Sequence, residues 1–155
     1  MRIGVAFRQL DPSDEIVLGS FFEAVSRDPT ALRFRPHPFT VAQAKIVANY
    51  SGRDAYFGAW ADGKLCGYGM LRGWDAGHAI PSLGIYVAPS ARGTGLSGEL
   101  MGAMHTAARE AGAERVRLRV APDNAPARRL YEKCGYQFDA TIERGELVGI
   151  KPLTS

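Results

Sequence analysis

The sequence predicts an α/β layered domain: a mixed, mostly antiparallel sheet of about seven strands flanked by four helices. Two observations carry this expectation. The early strands follow one another through a tight Asp-Gly turn with no helix between them, which makes them antiparallel neighbours. The later strands alternate with runs of helical period, and such strand–helix–strand crossovers bring strands side by side in parallel. The chain's 155 residues, 46% hydrophobic and 23% charged, suit one domain with a sizeable core.

Residues 2–9 alternate loosely and read as a first strand. Ser13 then precedes Asp14 and Glu15, acids that suit the positive end of a helix. Leu18, Phe21, Phe22 and Val25 recur at helical spacing, so a first helix is expected over about 14–27. The segment Arg33-Phe34-Arg35-Pro36-His37-Pro38-Phe39 holds two prolines and cannot lie inside a helix. It ends at Thr40, which forms a Thr-x-x-Gln capping box with Gln43 and opens a second helix to about Tyr50. Runs from Ala55 to Trp60 and from Lys64 to Leu71 flank Ala61-Asp62-Gly63, a hairpin signal. A loop carrying Arg72-Gly73-Trp74-Asp75 leads to a fourth strand, Ser82 to Val87, stopped by Ala88-Pro89. Leu96, Leu100, Met104 and Ala107 then mark a long helix ended by Gly112. Arg115 to Val120 alternates strictly and reads as a strand with one wet face. A short helix from about Ala125 to Lys133 ends at Gly135, and two last strands, about 136–143 and 146–151, meet at Arg144-Gly145. The order is β-α-α-β-β-β-α-β-α-β-β, in one domain over residues 1–155.

Several function classes fall away on composition. No run approaches the roughly 18 consecutive apolar residues of a membrane helix, and the N-terminus lacks a signal peptide's pattern, so a cytoplasmic location is expected. Cys66 and Cys134 belong to no CxxC and read as small buried hydrophobes rather than metal ligands or a disulfide, so no metal is expected. The net charge of +3 comes without a basic block. It suits a phosphorylated small molecule better than nucleic acid.

The sharpest local signal is Arg92-Gly93-Thr94-Gly95-Leu96-Ser97-Gly98, between a strand and a helix. Backbone N–H groups at a helix N-terminus attract anions, and glycines let a phosphate approach the main chain. Besides a plain tight turn, two functional readings stand. Gly93-x-Gly95-x-x-Gly98 fits a dinucleotide fingerprint, but the turn comes late in the chain and a single further crossover follows. A ribose-binding acid is also missing: Glu114 begins the next strand, and Asp123 lies too far on. A P-loop is excluded, since no Gly-Lys-Ser/Thr occurs. The other reading, Arg92-x-x-Gly95-x-Ser97, resembles the (Gln/Arg)-x-x-Gly-x-(Gly/Ala) pyrophosphate loop of the GNAT acetyltransferase superfamily, with Ser97 departing from the pattern.

A second motif decides between them. Asn124-Ala125-Pro126-Ala127-Arg128-Arg129-Leu130-Tyr131-Glu132-Lys133-Cys134-Gly135-Tyr136 resembles the GNAT signature Asn-x-x-Ala-x-x-Leu-Tyr-x-x-x-Gly-(Phe/Tyr) at each defining position. The resemblance implies acetyl-CoA as co-substrate and transfer of its acetyl group to an amine. It implies that main-chain groups of Ile85, Tyr86 and Val87 meet the thioester and pantetheine, where the fourth and fifth strands splay apart. It implies that Arg92, Gly93, Thr94, Gly95, Leu96, Ser97 and Gly98 surround the pyrophosphate, and that Asn124 holds the pantetheine. Tyr131 falls where the family places the acid that protonates the departing thiolate.

The resemblance also exposes a gap. Family members that use a glutamate base carry it where this chain has Pro81-Ser82 or Arg119. Proton removal from the acceptor is therefore expected through ordered water, with His78 and Asp75 as side-chain alternatives and loss of the proton to bulk solvent before binding as a third. Arg119 either lines a solvated face with its two neighbouring arginines or attracts an acidic group on the acceptor. His37, in the proline-stiffened loop, is either an acceptor wall or a hydrogen-bonded turn residue. Trp74 and Asp75 are candidates to receive an amine by cation–π and charge contact, and Ser82 completes the candidate acceptor residues. A small-molecule amine is the expected acceptor, with a protein amine and a non-catalytic acyl-CoA sensor as alternatives. The exposed last strands make a homodimer one further option, with no nucleic-acid or membrane partner.

Overall fold

The computed structural model describes residues 4–31 and 36–153. Its elements run β1 (Val5–Gln9), α1 (Glu15–Ser26), α2 (Val41–Ala48), β2 (Ala55–Ala61), β3 (Lys64–Arg72), β4 (Ser82–Val87), α3 (Leu96–Glu110), β5 (Arg115–Val120), α4 (Ala125–Lys133), β6 (Gln137–Glu143) and β7 (Glu146–Pro152). The seven strands form one sheet in the order β1-β2-β3-β4-β5-β7-β6. Neighbours are antiparallel except β4 and β5, which are parallel. Class and element order match the expectation. Among the described residues no helix is long and apolar enough to cross a membrane.

The local signals differ in detail at two helix starts. Asp11, not Ser13, opens the first helical segment. Its carboxylate accepts from the Ser13 N–H at 2.9 Å, and Asp14 accepts back from the Asp11 N–H at 2.9 Å. This reciprocal capping box starts a 3-10 turn over Pro12–Asp14, and α1 follows it directly. Asp14 also takes two bonds from Arg8, at 2.8 and 2.7 Å, so it is a strand-to-helix tie rather than a free acid at the dipole. At α2, Thr40 Oγ1 accepts from the Gln43 N–H at 3.1 Å, the forward half of the expected box.

The sheet separates two apolar clusters. On one face Leu18, Phe22 and Val25 of α1 and Val47 of α2 pack on Tyr68 and Met70 of β3 and Tyr86 of β4. On the other, Leu96, Leu100, Met104 and Ala108 of α3 cover Leu71 of β3, Leu83 and Val87 of β4, and Val116 and Leu118 of β5. Each fully buried large side chain contributes about 1.5–3 kcal/mol, so these two layers hold the helices against the sheet. Close contact of α3 requires a missing side chain on β3: a Cβ on Gly69 would lie 2.8 Å from Met104 Sδ. Helix α4 is different, because it has no fully buried residue.

A buried polar pair fastens α3 to the segment after α4. His105 Nε2 lies 2.7 Å from the Tyr136 hydroxyl, and the Tyr131 ring meets Tyr136 edge-on at 6.1 Å. Burial, with Lys151 and Arg109 adding positive charge, pushes the His105 pKa down to about 4. The unfolded chain takes up this proton near the ordinary value of 6.5, so His105 favours the fold above that pH. Its contribution is lost as pH falls from 6.5 towards 4. Urea midpoints of the wild type and of His105→Gln, measured at pH 7 and pH 5, are expected to show a smaller acid-induced drop in the variant.

Candidate functional site

The site begins where β4 and β5 come apart. Ser82 and Arg117 are the sole residue pair joining them, through an Arg117 N–H donated to the Pro81 carbonyl at 3.0 Å. At its far end β4 bonds the other way, the Ala88 N–H donating to the Cys66 carbonyl at 2.8 Å. Backbone groups alternate sides along a strand, so the main chains of Ile85 and Val87 point away from β3, into the gap, while that of Tyr86 turns to β3. The Tyr86 side chain lies on the α1 face, where its hydroxyl donates to Asp28 at 2.6 Å. Burial and this bond hold its pKa up at about 12.

The glycine turn sits at the open end of the gap. Gly93 and Gly95 have φ of +78° and +87°, a left-handed backbone that side chains rarely adopt. Gly95 caps α3, so the first N–H groups of Leu96, Ser97 and Gly98 have no partner earlier in the helix. Thr94 closes the preceding turn with a 2.5 Å bond to the Ala91 carbonyl. A Cβ on Gly98 would meet no atom within 4 Å, so packing within the described residues does not call for glycine there.

Arg92 does something its motif did not reveal. Its Nη2 pairs with Asp28 at 2.8 Å, Nη1 donates to Thr30 Oγ1 at 3.0 Å, and Nε donates to the Val87 carbonyl at 3.1 Å. The guanidinium also lies over the Tyr86 ring, 5.5 Å from its centroid. The side chain thus ties the glycine turn to the end of α1. Bonds from Tyr86, Thr30 and Arg92 hold the Asp28 carboxyl far below the usual range.

Asn124 and Tyr131 occupy the two ends of α4. Asn124 Oδ1 caps the helix by accepting from the Ala127 N–H at 3.3 Å, which leaves its amide NH2 as a donor. Tyr131 is half-buried against the cluster supplied by α3, β4 and β5. Desolvation raises its pKa, which keeps the phenol protonated. Among the described residues its hydroxyl has no recorded hydrogen-bond partner.

The candidate acceptor residues do not come together. His37 is buried: Nδ1 donates to the Pro38 carbonyl at 2.8 Å, and Nε2 lies 2.8 Å from the Tyr68 hydroxyl, among Phe22 and Phe39. Burial lowers its pKa, and it serves as core rather than as an open wall. Arg33, Phe34 and Arg35 of the same loop lie outside the described residues. Trp74 is buried in the α3-side core, so its ring is not available to a cation. Asp75 is exposed but consumed, accepting from the Tyr50 hydroxyl and from the N–H groups of Arg53 and Asp54 at 2.9 Å. These bonds hold its pKa low and make it a poor base. Arg119 lies 3.8 Å from Glu146 Oε1 and does not line the large groove described next.

His78 and Ser82 do share a space. Both line an open groove of about 820 Å³ on the outer face of β5, β7 and β6. The groove starts at Ser82, the point where β4 and β5 are still joined. Arg72, Arg115 and Arg117 reach it as well, although sequence reasoning singled out only Arg119 from that face. Strict alternation on β5 marked the shared face, but not how far along it the groove extends.

The ties of Arg92 give a prediction with two distinguishable outcomes. If the side chain positions the turn through Asp28, Arg92→Met and Asp28→Asn both weaken acetyl-CoA binding, by about tenfold for two lost charge-assisted bonds. If Arg92 instead grips the pyrophosphate directly, Asp28→Asn frees it and leaves affinity intact. Calorimetric titration of the three proteins with acetyl-CoA separates these.

Comparison with known proteins places this geometry. The profile of the acetyltransferase (GNAT) family matches residues 19–136. Uncharacterized N-acetyltransferases of Mycobacterium tuberculosis and Mycobacterium bovis are 38% identical over 90 residues, 57% of this chain and 56% of theirs. The chain thus matches about half the length of these curated relatives. The GNAT domain of S. lividans PAT superposes with a TM-score of 0.79 at 21% identity, covering 96% of this chain and 90% of that one. The yncA putative acetyltransferase of Salmonella typhimurium, solved with acetyl-CoA, gives 0.73 at 18% identity, covering 97% and 95%. Glycine turn, parted strands and Tyr131 all fall within the matched span or its fold, and the chain belongs to the acetyltransferase (GNAT) family.

Proposed function

We propose that this chain transfers the acetyl group of acetyl-CoA to the primary amine of a small acceptor, by direct attack within a ternary complex. The observation that carries the reading is the gap between β4 and β5, with the glycine turn at its open end and Tyr131 packed on the apolar cluster that β4 and β5 help to form. The Salmonella neighbour's structure contains acetyl-CoA, which supports the same co-substrate here. A groove of about 820 Å³ is within the size of small-molecule sites and favours a small acceptor over a protein surface.

Each group then has one task. The N–H groups that open α3, from Leu96 to Gly98, receive the pyrophosphate. The main chains of Ile85 and Val87 pair with the pantetheine as a neighbouring strand would, and an N–H there polarises the thioester carbonyl. Asn124 offers its free NH2 to the pantetheine from the far side. The amine nitrogen attacks the carbonyl carbon, so a C–N bond forms and the C–S bond breaks. The electron pair of that bond stays on sulfur, and Tyr131 donates the proton that turns the thiolate into a thiol. The proton lost by the amine leaves through water, with exposed His78 at the groove's edge as the side-chain alternative.

Tyr131→Phe tests this assignment. It is expected to lower kcat by about a hundredfold or more while leaving acetyl-CoA affinity unchanged, as measured by thiol release and calorimetry. Undiminished turnover would remove Tyr131 from the chemistry. Unchanged binding with no turnover by the wild type on any amine would favour an acyl-CoA sensor.

A further inference from the structure

We infer that the groove at the start of β4 is the acceptor subsite and that it selects an amine carrying a carboxylate. The inference rests on the acetyl-transfer reading and adds the acceptor's chemical class.

The groove's charge is unbalanced towards cations. Three guanidiniums line it, those of Arg72, Arg115 and Arg117, against two carboxylates, Asp139 and Glu143. Both acids are already engaged. Glu143 accepts from Arg117 Nη2 at 2.5 Å, and Asp139 accepts from the Thr141 N–H at 3.1 Å and its hydroxyl at 2.6 Å. Arg72 donates one bond, from Nη1 to the Pro36 carbonyl at 2.7 Å. Among the described residues neither Arg72 nor Arg115 has a carboxylate partner. Two guanidiniums open to one groove form a receptor for a planar oxyanion, which arginine binds by paired parallel bonds.

The rest of the groove supplies the other half of the specification. Its floor includes Val148 and Ile150 of β7, an apolar surface suited to a hydrocarbon spacer. The distance to the reaction sets the spacer's scale. Ser82 faces Arg117, Ile85 lies three residues further along β4, and Arg115 lies two residues back along the parallel β5, so about 17 Å at the usual rise of a strand separates the levels of Arg115 and Ile85. Part of that span is covered by the arginine side chains. A carboxylate held by Arg115 and Arg72 therefore calls for a chain of several carbons between it and an amine at the thioester. Cationic walls also repel a polyamine, whose second ammonium would sit where the guanidiniums are.

The test is a thiol-release assay with matched pairs of acceptors: ω-amino carboxylates of increasing length, α-amino acids including lysine, and the neutral amide of each. Spermidine and phosphoethanolamine are run beside them. The expected result is a kcat/KM at least about tenfold higher for a carboxylate than for its amide, the worth of one charge-assisted pair. Arg115→Gln is expected to erase most of that preference by raising KM for the carboxylate, while acetyl-CoA affinity is unchanged. Arg115 is exposed, so the substitution leaves the core intact. Equal use of amide and acid, preference for spermidine or for phosphoethanolamine, or an Arg115→Gln variant that keeps the full preference would each overturn the inference. Absence of turnover with every carboxylate, while acetyl-CoA still binds by calorimetry, would overturn it too and leave the cofactor reading standing. Absence of acetyl-CoA binding would instead overturn the reading beneath it.

Discussion

The parting of β4 and β5 after one residue pair is the constraint on which the rest of the site depends. A parallel pair in the middle of a sheet normally continues its ladder, because unpaired buried backbone groups are costly. Here the ladder is cut short, and Ile85 and Val87 keep main-chain groups aimed at a gap rather than at a strand. The Val87 carbonyl is taken by Arg92 Nε, and the price of leaving the Val87 N–H and the Ile85 main chain open is offset when a ligand takes the place of the missing strand. Everything around the gap follows from keeping it both open and firm. Arg92 ties the glycine turn to the end of α1, α3 packs closely on β3 through Gly69, and His105 holds the segment that follows α4.

The two faces of the sheet divide the work. The α3 face holds a deep apolar cluster and leaves α4 loosely seated, without a fully buried residue, next to the gap. The opposite face is filled by α1 and α2 over β3 and β4, while over β5, β7 and β6 the described residues leave the arginine-lined groove. In the proposed reaction the acyl donor would lie in the gap and the amine in the groove at the start of β4. That arrangement suits direct transfer, since neither partner has to leave before the other enters.

Much of this was legible in the sequence because the signals were local. The Asp-Gly hairpin, the strict alternation of Arg115 to Val120 and the two glycine-bearing motifs each fix a few neighbouring residues. What the sequence hid depends on partners far along the chain. Arg92 looked like a phosphate ligand, yet its side chain is held by Asp28, 64 residues earlier. Asp75 looked like a free carboxylate, but Tyr50, Arg53 and Asp54 fold back onto it. His37, a hydrogen-bonded turn residue in one of its two readings, is bonded but also buried, and Trp74, a candidate to receive an amine, is buried too, because loops here pack into the two cores. Asp11, which opens the first helical segment with a full reciprocal box, went unnoticed beside Ser13 and the two acids that follow it.

Hydrogen exchange at the individual amides of Ile85, Val87 and Leu96 to Gly98, with and without acetyl-CoA, tests the central claim most directly. The account predicts that these amides slow markedly when acetyl-CoA is added, while the Tyr86 amide, already committed to β3, changes little. NADH should have no such effect. Unchanged exchange at Ile85 and Val87, or protection of the glycine turn by NADH in place of acetyl-CoA, would contradict the account at its base.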